Sequence, residues 1–249
     1  MTTSASRRPE AFRPPANMPR GRLGAFVRRA LDLQVHTVRA ALAPWLAARR
    51  GSLLEVGCGA MPYRPLVPAD CRYQGLDWAG AETAFGYAEE DVALFDGETF
   101  PFPDASFDAV FHTEVLEHIP DPQAFLTECR RVLVPGGELF LTVPFQARFH
   151  YIPHDYWRFT PSGLTRLLTK AGLADIAVAP RGTDVTVAGY KATAVVFRLL
   201  RGGFASKCLG AALSPLGAAG LALGHLSLAR GWGSPDDCLG YTATARRPR

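Results

Sequence analysis

The chain lacks a CxxC pair, and its five cysteines (Cys58, Cys71, Cys129, Cys208, Cys238) are an odd number. A disulfide framework or a zinc site is therefore not expected, and a reducing cytoplasm fits better. No apolar core of about 7–15 residues precedes a small-residue cleavage site near the start, so no secretory signal is expected. Arg7-Arg8 runs into Pro9-Glu10 rather than an apolar stretch, against a twin-arginine leader. No lysine occurs in residues 1–50, which hold ten arginines against two acids, a local charge of +8. The rest of the chain holds 17 basic and 21 acidic residues, so the overall +4 conceals a body of −4. A pI argument for nucleic-acid binding thus rests on the N-terminal arm alone. Fixed repeats and low-complexity tracts are also missing, which excludes collagen-like, coiled-coil and mucin-like chains. What is present is 249 residues, 48% of them apolar and 20% charged, enough for one sizeable core with appendages.

Residues 1–22, rich in Ser, Pro and Arg, read as a disordered arm, and 23–249 as one domain. Leu23, Phe26, Val27, Ala30, Leu31, Val35, Val38 and Leu42 recur at helical spacing, which predicts an amphipathic helical segment over 23–50 that breaks near Pro44. It packs on the domain or, with Arg28, Arg29 and Arg39, lies on a membrane surface. A strand–helix alternation follows. Leu53–Val56, Arg72–Leu76, Asp91–Phe95, Phe107–His112, Glu138–Val143 and Ala174–Ala179 read as strands, and Leu239–Ala245 as a last one. Asp121 is a candidate N-cap with Pro122 at the first helical position, and Gly163–Ala171 reads as a second short helix. Such alternation means a doubly wound parallel sheet with helices on both faces, binding ligands at the carboxyl ends of its strands. Residues 185–235 break the rhythm as an apolar helical insert, and Cys208–Ala229 carries no charge over 22 positions. A single membrane span there would leave the last strand on the wrong side of the bilayer. The insert is therefore read as a soluble helical cap, with peripheral membrane contact as the second reading.

Three acid-bearing turns carry the chemistry. Gly57-Cys58-Gly59 follows the first strand, and Glu55 two residues earlier suits an amine-bearing ligand. A dinucleotide cradle would need N–H donors at the next helix start, where Pro62 removes one. Asp77 ends the second strand, where a carboxylate can accept both hydroxyls of a ribose, and Trp78 beside it offers a flat surface to a purine. Asp96-Gly97 follows the third strand and opens the run Phe100-Pro101-Phe102-Pro103-Asp104-Ala105-Ser106-Phe107-Asp108. An acid there can accept from an exocyclic amine.

In this order of motifs, with Val115-Leu116-Glu117-His118 after the fourth strand, the chain resembles the class I S-adenosylmethionine-dependent methyltransferases over about residues 50–180 and the last strand. The resemblance implies a Rossmann-like seven-stranded sheet with the last strand antiparallel beside the sixth. It implies S-adenosylmethionine as cofactor and S-adenosylhomocysteine as product. Glu55, Gly57, Cys58 and Gly59 would lie around the methionine part, Asp77 would bind the ribose, and Asp96 the adenine amine with Gly97 beside it. Thr113 and Glu114 would flank the methyl group. The chain departs from the pattern at Met61-Pro62-Tyr63, where many members carry a third glycine.

A base is required if the acceptor is a hydroxyl. His154 is the first candidate, His118 the second and Glu114 the third, while His150, Tyr151, Tyr156 and Arg158 are candidate acceptor contacts. On a helix Glu114, Glu117 and His118 would share one face, and the resemblance implies that such a cluster can hold a divalent ion. The plainer reading is that these residues orient their loop, so no metal ligand is assigned. The acceptor is read as a small molecule, lipid or glycan. An RNA methyltransferase gripping with the basic arm is one alternative, opposed by the acidic body and by Thr113-Glu114-Val115-Leu116 in place of a base-amine motif. The other is an inactive, membrane-associated binder of the same cofactor.

Overall fold

A computed structural model of the chain describes residues 22–81, 91–150 and 154–249; the arm at positions 1–21 and the candidate contact Tyr151 lie outside them. Two helices come first, α1 (Arg22–Leu31) and α2 (Leu33–Ala47). Strands β1 (Ser52–Val56), β2 (Arg72–Trp78), β3 (Val92–Phe95) and β4 (Phe107–Thr113) follow, then helix α3 (Pro122–Val132) and strand β5 (Leu133–Pro144). Helix α4 (Pro161–Lys170), strand β6 (Ala174–Arg181), helices α5 (Asp184–Leu200) and α6 (Phe204–Arg230), and strand β7 (Gly240–Arg246) complete the chain.

The strands form one sheet in the order β3-β2-β1-β4-β5-β7-β6. All pairings are parallel except those of β7, which lies antiparallel between β5 and β6. From β1 the chain winds outward through β2 to β3, then returns to the other flank of β1 with β4. The order reverses between β1 and β4, and that switch opens a crevice at the carboxyl ends of these strands.

Strand alternation sorts the core into two layers. Leu54, Val56, Val110, Leu139, Leu141 and Val143 face α3 and α4, where Phe125, Leu126, Cys129, Leu164 and Leu168 are buried. Leu53, Ala109, Phe111 and Phe140 face the other way, onto Val38, Leu42 and Leu46 of α2. The sequence placed the helix break near Pro44; the structure puts it at Asp32, whose carboxylate caps α2 by accepting from Gln34 and Val35 N–H. Pro44 sits inside α2. Between β1 and β2 the described chain makes only a short 3-10 turn, Arg64–Leu66, and α2 covers the sheet face beside it. Asp121 caps α3 with Pro122 at its start, as the sequence indicates.

The insert is a helical hairpin. Its two ends are tied at the base: Asp184 N–H donates to Ser234 O, Ser234 N–H to Asp184 Oδ1, and the Thr183 hydroxyl to Trp232 O. Glycines let the helices approach closely. A Cβ on Gly189 would lie 2.3 Å from Gly220 O, and one on Gly217 would lie 2.8 Å from Val196 Cγ2.

Every residue of β1 is buried, Glu55 included. Glu55 accepts a hydrogen bond from the Tyr73 hydroxyl, and burial pushes its carboxyl up to about 8. Between the ordinary value of 4.5 and about 8 the folded protein holds a proton that the unfolded chain has lost. Stability should therefore fall as pH rises through that window. Urea unfolding at about pH 6 and about pH 9 should show this loss in the wild type and its removal in Glu55→Gln. Leu42 is fully buried between α2 and the sheet. Leu42→Ala should cost about 3 kcal/mol of unfolding free energy in the same assay.

Candidate functional site

The crevice begins with the turn after β1. Gly57 and Gly59 take the left-handed φ values of 67° and 52°. Gly57 and Cys58 N–H both donate to Leu76 O, at 2.8 and 3.2 Å, which fastens the turn to β2. Gly57 has no room for a side chain, since a Cβ would meet Val115 Cγ2 at 2.5 Å, whereas a Cβ on Gly59 would meet nothing within 4 Å. The turn is thus packed behind and open in front, the geometry that lets a ligand approach bare backbone. Met61, at the place of the missing third glycine, still adopts φ 50° with its side chain buried. The left-handed bend is kept without the residue that makes it free of strain.

Asp77 stands at the end of β2, nearly buried. Its Oδ2 accepts from Gly59 N–H and its Oδ1 from Trp78 N–H, both at 2.8 Å. These two bonds turn the carboxylate toward the strand ends, at the border of the open turn. The Trp78 ring is half-exposed and lies against Gly80 and Gly97. Asp96 is exposed at the end of β3, where its Oδ1 accepts from Glu98 and Thr99 N–H. The amides of Thr99 and Glu98 hold its carboxyl below the usual range. Gly97 takes φ 96°. Cys58 is buried behind the turn, and burial raises its thiol far from ionisation. Glu55 lies within the sheet beneath, bonded to Tyr73, so it meets the turn at neutral pH mostly as a neutral carboxyl.

Past β4 the structure corrects the sequence reading. Glu114, Glu117 and His118 share no helix face, because Glu114 takes φ 53° and Leu116–His118 form a 3-10 turn. Glu114 turns instead to Arg181, Oε1 to Nη2 at 2.7 Å. Arg181 is buried at the end of β6 and also donates to Thr37 Oγ1 and Val143 O. The sequence reading missed Arg181; it lies 67 positions from its acid, and no local pattern joins them.

Glu117 is wholly buried, and among the described residues neither carboxylate oxygen has a hydrogen-bond partner. Burial, then the charge of Glu114, pushes its carboxyl well above the usual range. Beside it His118 Nε2 lies 3.6 Å from Oε1, and burial pushes this imidazole down to about 4. His118 Nδ1 is 2.6 Å from His154 O, and that carbonyl requires the proton on Nδ1. Nε2 is left as an acceptor facing the carboxyl.

The loop after β5 is docked on this turn. Tyr156 and Trp157 N–H donate to Glu117 O, and Trp157 Nε1 to Ile119 O. Arg158 grips both oxygens of Asp155, which also accepts from His150 N–H. The rings of His150 and His118 meet edge to face at 4.9 Å. His154 is exposed at the rim, Nδ1 3.2 Å from the Tyr156 hydroxyl. Among the described residues, the set whose ligand atoms lie within 4.8 Å of one another is Glu117, His118 and His150, and it does not include Glu114. Two imidazoles and one carboxylate suit zinc-like ions better than magnesium.

Comparison with known proteins agrees with this arrangement. Residues 54–141 match the family model described as a methyltransferase domain. A probable S-adenosylmethionine-dependent methyltransferase of Mycolicibacterium smegmatis is 34% identical over 131 residues, covering 48% of this chain and 51% of that protein. A ubiquinone biosynthesis O-methyltransferase of Dinoroseobacter shibae is 31% identical over 149 residues, covering 50% and 60%. The chain thus spans about half to three fifths of the length of these curated relatives. Among solved structures, the [4+2]-cyclase SpnF superposes with a TM-score of 0.55 at 21% identity, covering 86% of this chain and 82% of that one, and at that identity it shares the fold alone. Residues 54–141 are thus similar to a methyltransferase domain, and the chain resembles S-adenosylmethionine-dependent methyltransferases over about half of their length.

Proposed function

We propose that the chain transfers a methyl group from S-adenosylmethionine to a small-molecule or lipid acceptor. The observation that carries this reading is the joined pair of strand ends at the switch point. The Gly57–Gly59 turn, open in front, is bonded to the Asp77 carboxylate at the end of β2. That pair fits a ligand with a ribose beside a compact charged tail. In this reading Asp77 holds the ribose hydroxyls, Trp78 lies against the purine and Asp96 accepts its amine. Gly57, Cys58 and Gly59 border the methionine part, and Thr113 lies at the methyl end.

When bound, the cofactor supplies a sulfonium methyl that is already activated. The protein's task is to align the acceptor and exclude water. The turn holding His118 and the docked loop holding His150, Tyr156 and Arg158 are the parts suited to that task. His118 is one candidate base, because His154 O fixes its tautomer with Nε2 as the accepting atom, while its burial lowers its affinity for a proton. A proton taken at Nε2 would sit 3.6 Å from Glu117, and a new imidazolium would favour ionisation of that carboxyl. His154 at the rim is the alternative base. Several curated relatives carry the name ubiquinone biosynthesis O-methyltransferase, which supports an oxygen acceptor that this mechanism requires a base to deprotonate.

Calorimetry with S-adenosylmethionine should show binding to the wild type and losses of roughly tenfold or more for Asp77→Ala, and less for the exposed Asp96→Ala. Equal affinity in all three proteins would refute the site. With labelled cofactor and separate lipid and polar extracts as acceptor source, His118→Ala should lower transfer about 100-fold or more while cofactor binding stays intact. Transfer undiminished in both His118→Ala and His154→Ala would remove both bases from the mechanism.

A further inference from the structure

Helix α6 is built the wrong way round for water. A helix on a protein surface ordinarily buries its large apolar side chains and shows polar ones. Here the residues buried against α5 and α2 include Gly210, Gly217 and Gly224, whereas Leu209, Leu216 and Leu223 face outward. Ala205, Cys208, Ala212, Pro215, Ala219 and Ala222 fill the same outer face, with no charge among them. The helix is long and apolar enough to cross a bilayer, yet only 17% of its most apolar window is buried, unlike the core helix of a water-soluble body. Small residues at the helix contact with large ones outside is the packing that helices use where lipid is the solvent.

Two neighbouring elements extend the face. At the tip of the hairpin Phe197, Leu200 and Phe204 are exposed, Phe204 at 85%. At the other end α1 carries Leu23, Phe26, Val27 and Leu31 outward, Leu23 at 76%. The sequence left open whether this segment packs on the domain, and the two helices divide the answer: α2 packs inward and the apolar side of α1 does not. α1 adjoins α6, since His225 Nε2 lies 2.8 Å from Ala30 O.

Charge selects the occupant. Residues 185–235 contain no Asp or Glu, while Lys191, Arg198, Arg201, Lys207 and Arg230 are all present. Arg198, Arg201 and Lys207 surround the exposed tip, and Arg28 and Arg29 lie on α1. Apolar side chains ringed by cations alone match the acyl and headgroup layers of an anionic bilayer. A second copy of the chain would bring no carboxylate from the same stretch to meet those cations.

We propose that α1 and the α5–α6 hairpin dock the protein on an anionic membrane surface, with the outer face of α6 and the hairpin tip in the headgroup–acyl boundary. The hairpin rests there without spanning, because its base is closed on the sheet and β7 returns to pair with β5 and β6. Arg148, in the loop after β5, lies within electrostatic reach of Tyr190 and Arg201 of the hairpin. Tyr190 and Arg201 are the hairpin residues whose charges reach the loop that carries His150. The docking stands whether or not the acceptor is a lipid.

Flotation of the full chain with vesicles tests it. The wild type should float with phosphatidylcholine–phosphatidylglycerol vesicles and much less with phosphatidylcholine alone. Leu216→Glu with Leu223→Glu should stay behind with both. Arg201→Gln with Lys207→Gln should lose roughly fivefold in partitioning per cation removed and lose the preference for phosphatidylglycerol. All four positions face solvent, so circular dichroism and thermal unfolding should match the wild type. A wild type that floats with neither vesicle, or glutamate variants that float as well as it does, would overturn the proposal. So would a dimer in solution that Leu216→Glu dissociates in the absence of any vesicle binding, which would assign the face to a second copy.

Discussion

One hydrogen bond organises the candidate site: the amide of Gly59 donating to the carboxylate of Asp77 across the ends of two parallel strands. It fixes the open turn to the neighbouring strand and orients the acid. Because β1 and β2 run in register, Glu55 opposite Gly75 and Val56 opposite Leu76, the loop after one strand is bound to meet the end of the other. Around this bond the other parts take their places. Val115 closes the back of Gly57, Trp78 flanks Gly97, and Met61 pays a backbone strain to hold the bend.

The layered fold was legible because its signals are local. Alternating apolar residues, capping acids such as Asp121 and the glycine turn all act within a few positions. The seven-stranded order with an inserted antiparallel strand came from the resemblance, and pairing of Glu138 with Arg246 bears it out. The site was legible as a set of strand-end residues but not as a set of contacts. Glu114 shows why. Its spacing from Glu117 and His118 suggested a helix face, yet the chain turns through a left-handed residue there, and a buried arginine from β6 captures the acid. Likewise Pro44 looked like a breaker, yet the break falls at Asp32. A proline in a helix leaves one carbonyl unpaired and can be tolerated, whereas an N-cap defines a start.

The buried groups of the second cluster balance one another. Glu117, wholly buried without a hydrogen-bond donor, resists ionising, and His118, partly buried beside it, resists accepting a proton. Each would find its charged form easier if the other were charged. Asp155 does the opposite work nearby: gripped by Arg158 and the His150 amide, it stays ionised and holds the loop shut over the turn.

The inserted last strand has a consequence for the order in which the chain can assemble. Among the described residues β6 lies at the edge of the sheet and pairs only with β7. During synthesis β6 emerges first, then both helices of the hairpin, and only afterwards the strand that joins β6 to β5. Until Gly240–Arg246 arrive, the sheet stops at β5, with an unpaired edge and an outward-facing apolar helix beside it. Long-range pairing of this kind is slow and leaves such surfaces open to wrong partners. A lipid surface that takes up the hairpin early would act as its holding place while the sheet waits for its final strand.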